Sequence, residues 1–190
     1  MSDKTKKQQI LDTALSLFVH QGFYATSTAS IAKAAGVATG TLFHHFSSKE
    51  ALMNQLFLNI KQGFADGIQA QMLHSGDFKR DTEHLWQAAI QWALEHPLRQ
   101  SFFQQYSLSP AVSESIRQQA MHETLGFLST MLQQGQVLGL LAKHPLHLML
   151  ANCHGQYLAS AQFFIENPEK WGDAAHREAS FTMMWRSIAK

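Results

Sequence analysis

Between Thr26 and Lys49 the chain reads TSTASIAKAAGVATGTLFHHFSSK, the stretch that most restricts its fold. Ser27 can cap a helix whose first turn is Thr28, Ala29 and Ser30, because its hydroxyl can accept an amide hydrogen that the helix leaves unpaired. Ile31, Ala32, Ala34 and Ala35 are small or apolar and let a second helix backbone approach. Gly36 then stands where a left-handed residue ends a helix. Val37 plugs the corner, and residues 38–46 form a second short helix with Leu42 and Phe46 on one face at i, i+4 spacing. Thr39, Gly40, Thr41, Phe43 and His44 are left outside. A helix reached through a tight glycine turn, with small hydrogen-bonding residues at its start, has the shape and chemistry to enter a major groove. Ser48 caps the next helix. Lys49 lies in its first turn, where amide hydrogens and an ammonium can together hold a backbone phosphate.

The rest of the chain is also helical in pattern. Residues 4–21 place Leu11, Ala14, Leu15 and Phe18 at helical spacing and end at Gly22. Phe23 and Tyr24 are expected to fill the junction of the three helices, a phosphate contact being the alternative for Tyr24. From Ser48 to about residue 72 a longer pattern sets Met53, Leu56, Phe57, Ile60, Phe64 and Ile68 on one side. Gly63 and Gly67 each weaken that helix by roughly 1 kcal/mol relative to alanine and call for a kink or a close helix contact. Residues 81–95 are apolar nearly all round and belong in the centre of a bundle. Pro97 breaks that helix and starts the next, which runs to Tyr106. Ser109-Pro110 is expected to open a helix to about Gln134, with Met121, Leu125, Leu128 and Leu132 as its stripe and Gly135 closing it. His144-Pro145 starts another, reaching Ile165, with Ala151, Gly155, Ala159 and Ser160 small enough for close pairing. Residues 174–188 complete the chain. The last two helices carry more apolar surface than one small domain needs, which suggests a four-helix interface made by two copies. The alternative is that they close the chain's own core.

Composition narrows the class. With 190 residues, 45% hydrophobic and 15% charged, the chain can bury a core and is not of disordered type. Its N-terminus has no apolar run, and no stretch reaches the ~18 apolar residues of a membrane span, so a cytoplasmic protein is expected. The single cysteine, Cys153, excludes an internal disulfide. The net charge of +1 is unevenly placed. Up to residue 50, five lysines face three acids, whereas the remainder has ten basic and eleven acidic residues. So mild a bias gives one copy few phosphate contacts and favours a dimer.

Thr28, Ile31-Ala32, Ala35-Gly36-Val37, Gly40-Thr41-Leu42, His45-Phe46 and Ser48-Lys49-Glu50-Ala51-Leu52 together resemble the TetR family of bacterial transcription regulators. The resemblance runs from about residue 4 to residue 60. It implies an all-α fold: an N-terminal three-helix helix-turn-helix DNA-binding domain over 1–50, motif about 27–46, and a C-terminal helical bundle over 51–190 for ligand binding and dimerisation. It implies a ligand-responsive repressor, bound as a homodimer to a pseudo-palindromic double-stranded operator and released by an unidentified small molecule. The DNA-contacting residues carried over or read from the motif are Ser27, Thr28, Thr39, Gly40, Thr41, Phe43, His44, His45 and Lys49. Phe43 stands where the family usually has tyrosine, which removes a phosphate hydrogen bond worth roughly 0.5–1.5 kcal/mol. Ala29 offers no base-reading group.

For the ligand, Phe64, Trp86, Phe103, Tyr106, Met121, His122 and Tyr157, with Trp92 and Phe102, supply aromatic walls and a few polar handles. Stripes of this kind are also ordinary core. His147 and His154 share a helix face beside Cys153, but without a tight i, i+4 pair or a cysteine cluster no metal is expected. No cofactor and no membrane partner is implied. Nothing forms a catalytic constellation, so an enzyme is not expected. The reading from another class is a helical small-molecule carrier or interaction module that does not bind DNA.

Overall fold

A computed structural model describes residues 3–190, with Asp3 and Lys4 described in backbone only. Among the described residues the elements are α1 (Asp3–Gln21), α2 (Thr28–Ala34), α3 (Thr39–His45), α4 (Lys49–Gln69), α5 (Phe78–Glu95), α6 (Pro97–Tyr106), α7 (Glu114–Gln119), a π-turn (Ala120–Thr124), α8 (Gly126–Val137), α9 (Leu146–Glu166), α10 (Pro168–Trp171) and α11 (Ala174–Ile188). An isolated antiparallel bridge, Leu141 to Ala189, accompanies them. The all-α expectation holds. The chain forms two compact units, one from the chain up to Lys61 with Leu98–Ala120, the other from Gln62–Pro97 with Met121–Lys190.

In the first unit the apolar positions read from α1 close on α2 and α3. Ile10, Ala14, Phe18, Ile31, Ala32, Leu42 and Phe46 are all buried. Ala34 is exposed, so the close approach uses Ala32 and Ala35. Phe23 fills the junction as expected, but Tyr24 does not: 76% of it is exposed, its ring edge-on to Phe23. Tyr106 ties α6 to α1 by donating its hydroxyl to the Phe18 carbonyl at 2.7 Å.

Residues 107–113 do not continue a helix from Ser109-Pro110. The Arg117 guanidinium reaches back to the carbonyls of Ser109, at 2.8 Å, and Val112. Those acceptors are satisfied without a helical ladder, and α7 starts only at Glu114. The expected single helix to Gln134 is then interrupted by the π-turn and by Leu125, at φ −105° and ψ 11°.

The second unit packs α5 against α9, with α8, α10 and α11 beside them. α5 begins three residues earlier than the periodicity indicates, because the Asp77 carboxylate accepts from the amides of Lys79 and Arg80. Gly67 makes the close contact expected of it: a Cβ there would lie 2.8 Å from Trp92 Cδ1. Gly135 does not close α8. It is buried inside the helix, where a Cβ would meet Leu141 and Phe78 at 2.6 Å, and the left-handed residue that ends the segment is Gly139, at φ +73°.

Candidate nucleic-acid interface and ligand-binding residues

The interface is built locally. Ser27 Oγ accepts from the Ser30 amide at 3.0 Å and the Ser27 amide donates to Ser30 Oγ at 3.1 Å, a reciprocal capping box that starts α2 firmly. Gly36, at φ +65°, turns the chain, and the Val37 amide closes the corner on the Ala32 carbonyl at 3.0 Å. α3 then starts from Ala38 in extended conformation, without a side-chain cap. Leu42, fully buried, and Phe46, 4% exposed, anchor one face of it.

That anchoring decides what faces outward. Thr39, Gly40, Phe43 and His44 are exposed, and Thr41 and His45 are half-buried. Ser27 is exposed and Thr28 half-buried at the start of α2. The face offers hydroxyls, imidazoles, threonine methyls and the Phe43 ring, 46% exposed, which suit base edges, phosphates and thymine methyls. At Gly40 an added Cβ would meet no atom of the chain within 4 Å. Glycine inside a helix costs about 1 kcal/mol relative to alanine, and here no internal packing requires it.

Lys49 differs from the open phosphate clamp expected at the start of α4. Its ammonium turns inward, donating to the carbonyls of Phe23 at 2.9 Å and Thr26 at 3.0 Å, over the Phe23 ring at 4.3 Å from the centroid. The Ala51 amide is taken by Ser48 Oγ at 3.1 Å. The Glu50 carboxyl lies below its ordinary range through hydrogen bonds from its own backbone and from Ser48. Lys49 is thus a strut between α4 and the loop after α1. Sequence spacing gives no sign of this, since the carbonyls lie 26 and 23 residues away.

The aromatic residues named for a ligand divide between the two units. Phe103, fully buried, and Tyr106 belong to the first, and burial raises the Tyr106 phenol. Phe64, Trp86 and Tyr157 belong to the second. The Phe64 ring lies 5.3 Å from that of Tyr157 and 5.1 Å from that of Trp92, between centroids. Trp86 Nε1 donates to Ser180 Oγ at 2.9 Å, and burial pushes the Tyr157 phenol up. Met121, half-buried, and the exposed His122 sit on the π-turn. Phe102 is fully buried in the first unit. A separate cavity of about 340 Å³ in the second unit is lined by Met72, Phe78, Thr82, Leu85, Phe127 and Met131 among others, and by none of the residues named from sequence.

Lys61 went unnoticed in the sequence, although it falls four residues after Phe57 on the apolar side of α4. It is 3% exposed. Its ammonium lies 4.1 Å from the Phe103 centroid and 5.6 Å from that of Phe57, and burial lowers it to about 8. A charged residue inside an apolar stripe was the available signal. Cys153 is a free thiol that burial raises to about 11. Among the described residues no three His, Cys, Asp or Glu side chains are grouped to hold a metal. Nor is any described helix long and apolar enough to cross a membrane.

A family profile described as "Bacterial regulatory proteins, tetR family" matches residues 10–56. A solved TetR family transcription regulator from Shewanella sp. PV-4 is 58% identical, with 97% of this chain and 98% of that one covered and a TM-score of 0.95. Another from Marinobacter aquaeolei VT8 is 23% identical, covers 99% of this chain and 97% of its own with a TM-score of 0.86, and so attests the fold. The HTH-type transcriptional repressor KstR2 of Rhodococcus jostii (strain RHA1) is 38% identical over 63 residues, 33% of this chain. The matched stretch spans 29% of that curated relative's length.

Proposed function

The chain belongs to the TetR family of bacterial transcription regulators, and from that membership we propose that it works as a homodimeric repressor released from its operator by a small molecule. In this reading residues 1–50 bind DNA, and residues 51–190 take up the effector and dimerise. The protein acts in the cytoplasm and carries no catalytic activity.

The observation that carries the DNA reading is the outward face of α3. Leu42 and Phe46 lock it from behind, and Gly40 leaves it flat where the fold has no use for a glycine. Thr39 and Thr41 meet base edges or phosphates at the helix start. Phe43 lies against sugar or a thymine methyl, and the His44 ring, exposed, and the His45 ring, half-buried with its Nε2 inside, lie beside it. Ser27 and Thr28 meet the backbone from the start of α2. Lys49 belongs to the set through the loop that it holds in place, its ammonium turned to the Phe23 and Thr26 carbonyls. Two copies bring two such helices to successive major grooves of a pseudo-palindrome. A bound effector favours a spacing of those helices that no longer fits, provided that it prefers that state.

The dimer surface proposed is the outer face of α9 and α11. Leu148, Ala151, Gly155, Ala159 and Phe163 are exposed along α9, and Ala175, Ala179 and Met183 along α11. Small residues between larger ones permit close helix pairing between copies.

Selection of bound duplexes from a random DNA pool, at two salt concentrations, tests the reading. The expected result is enrichment of a two-fold symmetric site, with Thr39→Ala changing the preference at particular bases. A folded, ligand-free dimer that enriches no site at either salt would overturn it.

A further inference from the structure

We propose that Lys61 binds the carboxylate of the effector, and that the effector is an organic acid with an apolar or aromatic body. This rests on the reading of residues 51–190 as the ligand-binding part.

Lys61 lies on α4 between Phe57 and Phe64 in sequence, with 3% of its surface exposed. Among the described residues its ammonium has two ring faces, Phe103 at 4.1 Å and Phe57 at 5.6 Å, and no hydrogen-bond acceptor or carboxylate. A buried lysine ordinarily reaches solvent along its stem or finds a carbonyl. Lys49 in the same unit does the latter twice. Phenyl faces attract a cation but offer no lone pairs, so neither ring can accept from the N–H donors of Lys61.

A second polar group is stranded just past the end of α6. Ser107, the residue after α6, lies four residues beyond Phe103, with its amide on the Phe103 carbonyl at 3.0 Å. Its hydroxyl is buried without a hydrogen-bond partner. One ammonium and one hydroxyl match the two oxygens of a singly charged carboxylate, whereas a dianionic phosphate would keep an uncompensated charge in an apolar site. Phe57 and Phe103 supply the apolar contact for the body of the acid. Burial holds the Lys61 ammonium down at about 8, and an anion beside it restores its proton affinity, so binding and charging support each other.

The test uses two matched pairs of probes on the full chain: 2-naphthoate with 2-naphthamide, and decanoate with 1-decanol. Calorimetric titration at pH 7 should show at least one acid binding roughly tenfold or more tightly than its neutral counterpart. Lys61→Met, which keeps length and removes charge, should erase that preference, and Ser107→Ala should reduce it. Helical content and melting temperature of each variant without probe establish that it is folded. Equal affinity for acid and neutral probe, binding of neither acid, or a preference that survives Lys61→Met would each overturn the assignment. Such a result leaves the DNA selection standing, and a failed selection with an intact Lys61-dependent preference would overturn only the regulator reading.

Discussion

Gly40 sits in a helix, costs that helix stability, and packs against nothing in its own chain. Replacing it by alanine should therefore raise the unfolding free energy by about 0.5–1 kcal/mol while weakening operator binding several-fold, because a methyl group would stand between helix and groove. Urea unfolding and fluorescence anisotropy on the selected operator read the two effects, and a parallel rise in both would remove Gly40 from the interface. Lys49 behaves in the opposite way. Lys49→Met takes away both hydrogen bonds to the loop carbonyls and should cost about 1–3 kcal/mol of stability, so any loss of DNA affinity carries a structural share. An unchanged melting temperature would mean that the strut does not hold in solution. Lys61 makes a prediction in pH. Its folded-state value, about 8, lies below its ordinary value of 10.5, so between these the unfolded chain binds the extra proton. Stability contributed by this position must then rise as pH increases from about 8 to about 10.5. Comparing urea midpoints of the native chain and Lys61→Met at pH 7.5 and 9.5 isolates it, and the native chain should gain on the variant at the higher pH.

Among the elements, α2 and α3 were legible because each decisive interaction spans four residues or fewer: the Ser27–Ser30 box, the left-handed Gly36, and Leu42 with Phe46 on one face. The start of α5 was misplaced because periodicity detects the buried face and not the cap. The Asp77 carboxylate draws Phe78, Lys79 and Arg80 into the helix ahead of its periodic part. The stretch 109–137 failed for a different reason. A guanidinium folded back on two carbonyls, and a π-turn, leave the apolar spacing nearly unchanged while breaking the helix. Gly135 shows that a glycine late in a helix has two readings. Gly135→Ala should destabilise the second unit by about 1–3 kcal/mol, since its methyl would meet Leu141 and Phe78 at 2.6 Å. A neutral result in thermal melts would show that those two side chains can yield.

For the molecule as a whole, the charge excess in one copy is small, and in the proposed function affinity for an operator comes from pairing two copies. Ala159→Glu, placed in the middle of the small-residue stripe of α9, should convert the dimer to monomer by light scattering without changing helical content. It should also lower operator affinity by more than tenfold, because two half-sites would be engaged independently. If the variant stays dimeric, the pairing surface lies elsewhere. Salt dependence belongs at this level too, since the slope counts phosphates met by both copies together.

The amino-acid sequence by itself determined the all-α class, the helix-turn-helix and which residues of α3 face outward, since these follow from caps, a left-handed glycine and the 3.6-residue repeat acting over one or two turns. Tertiary structure alone decided where the Lys49 and Lys61 ammoniums point, that Gly135 packs instead of terminating, and which aromatic rings share a core: Phe64 with Trp92 and Tyr157, Phe57 with Phe102. Periodicity identifies the face that a residue occupies but not the distant partner that it meets there, and the partner sets whether a buried lysine is a strut or a ligand's counter-charge.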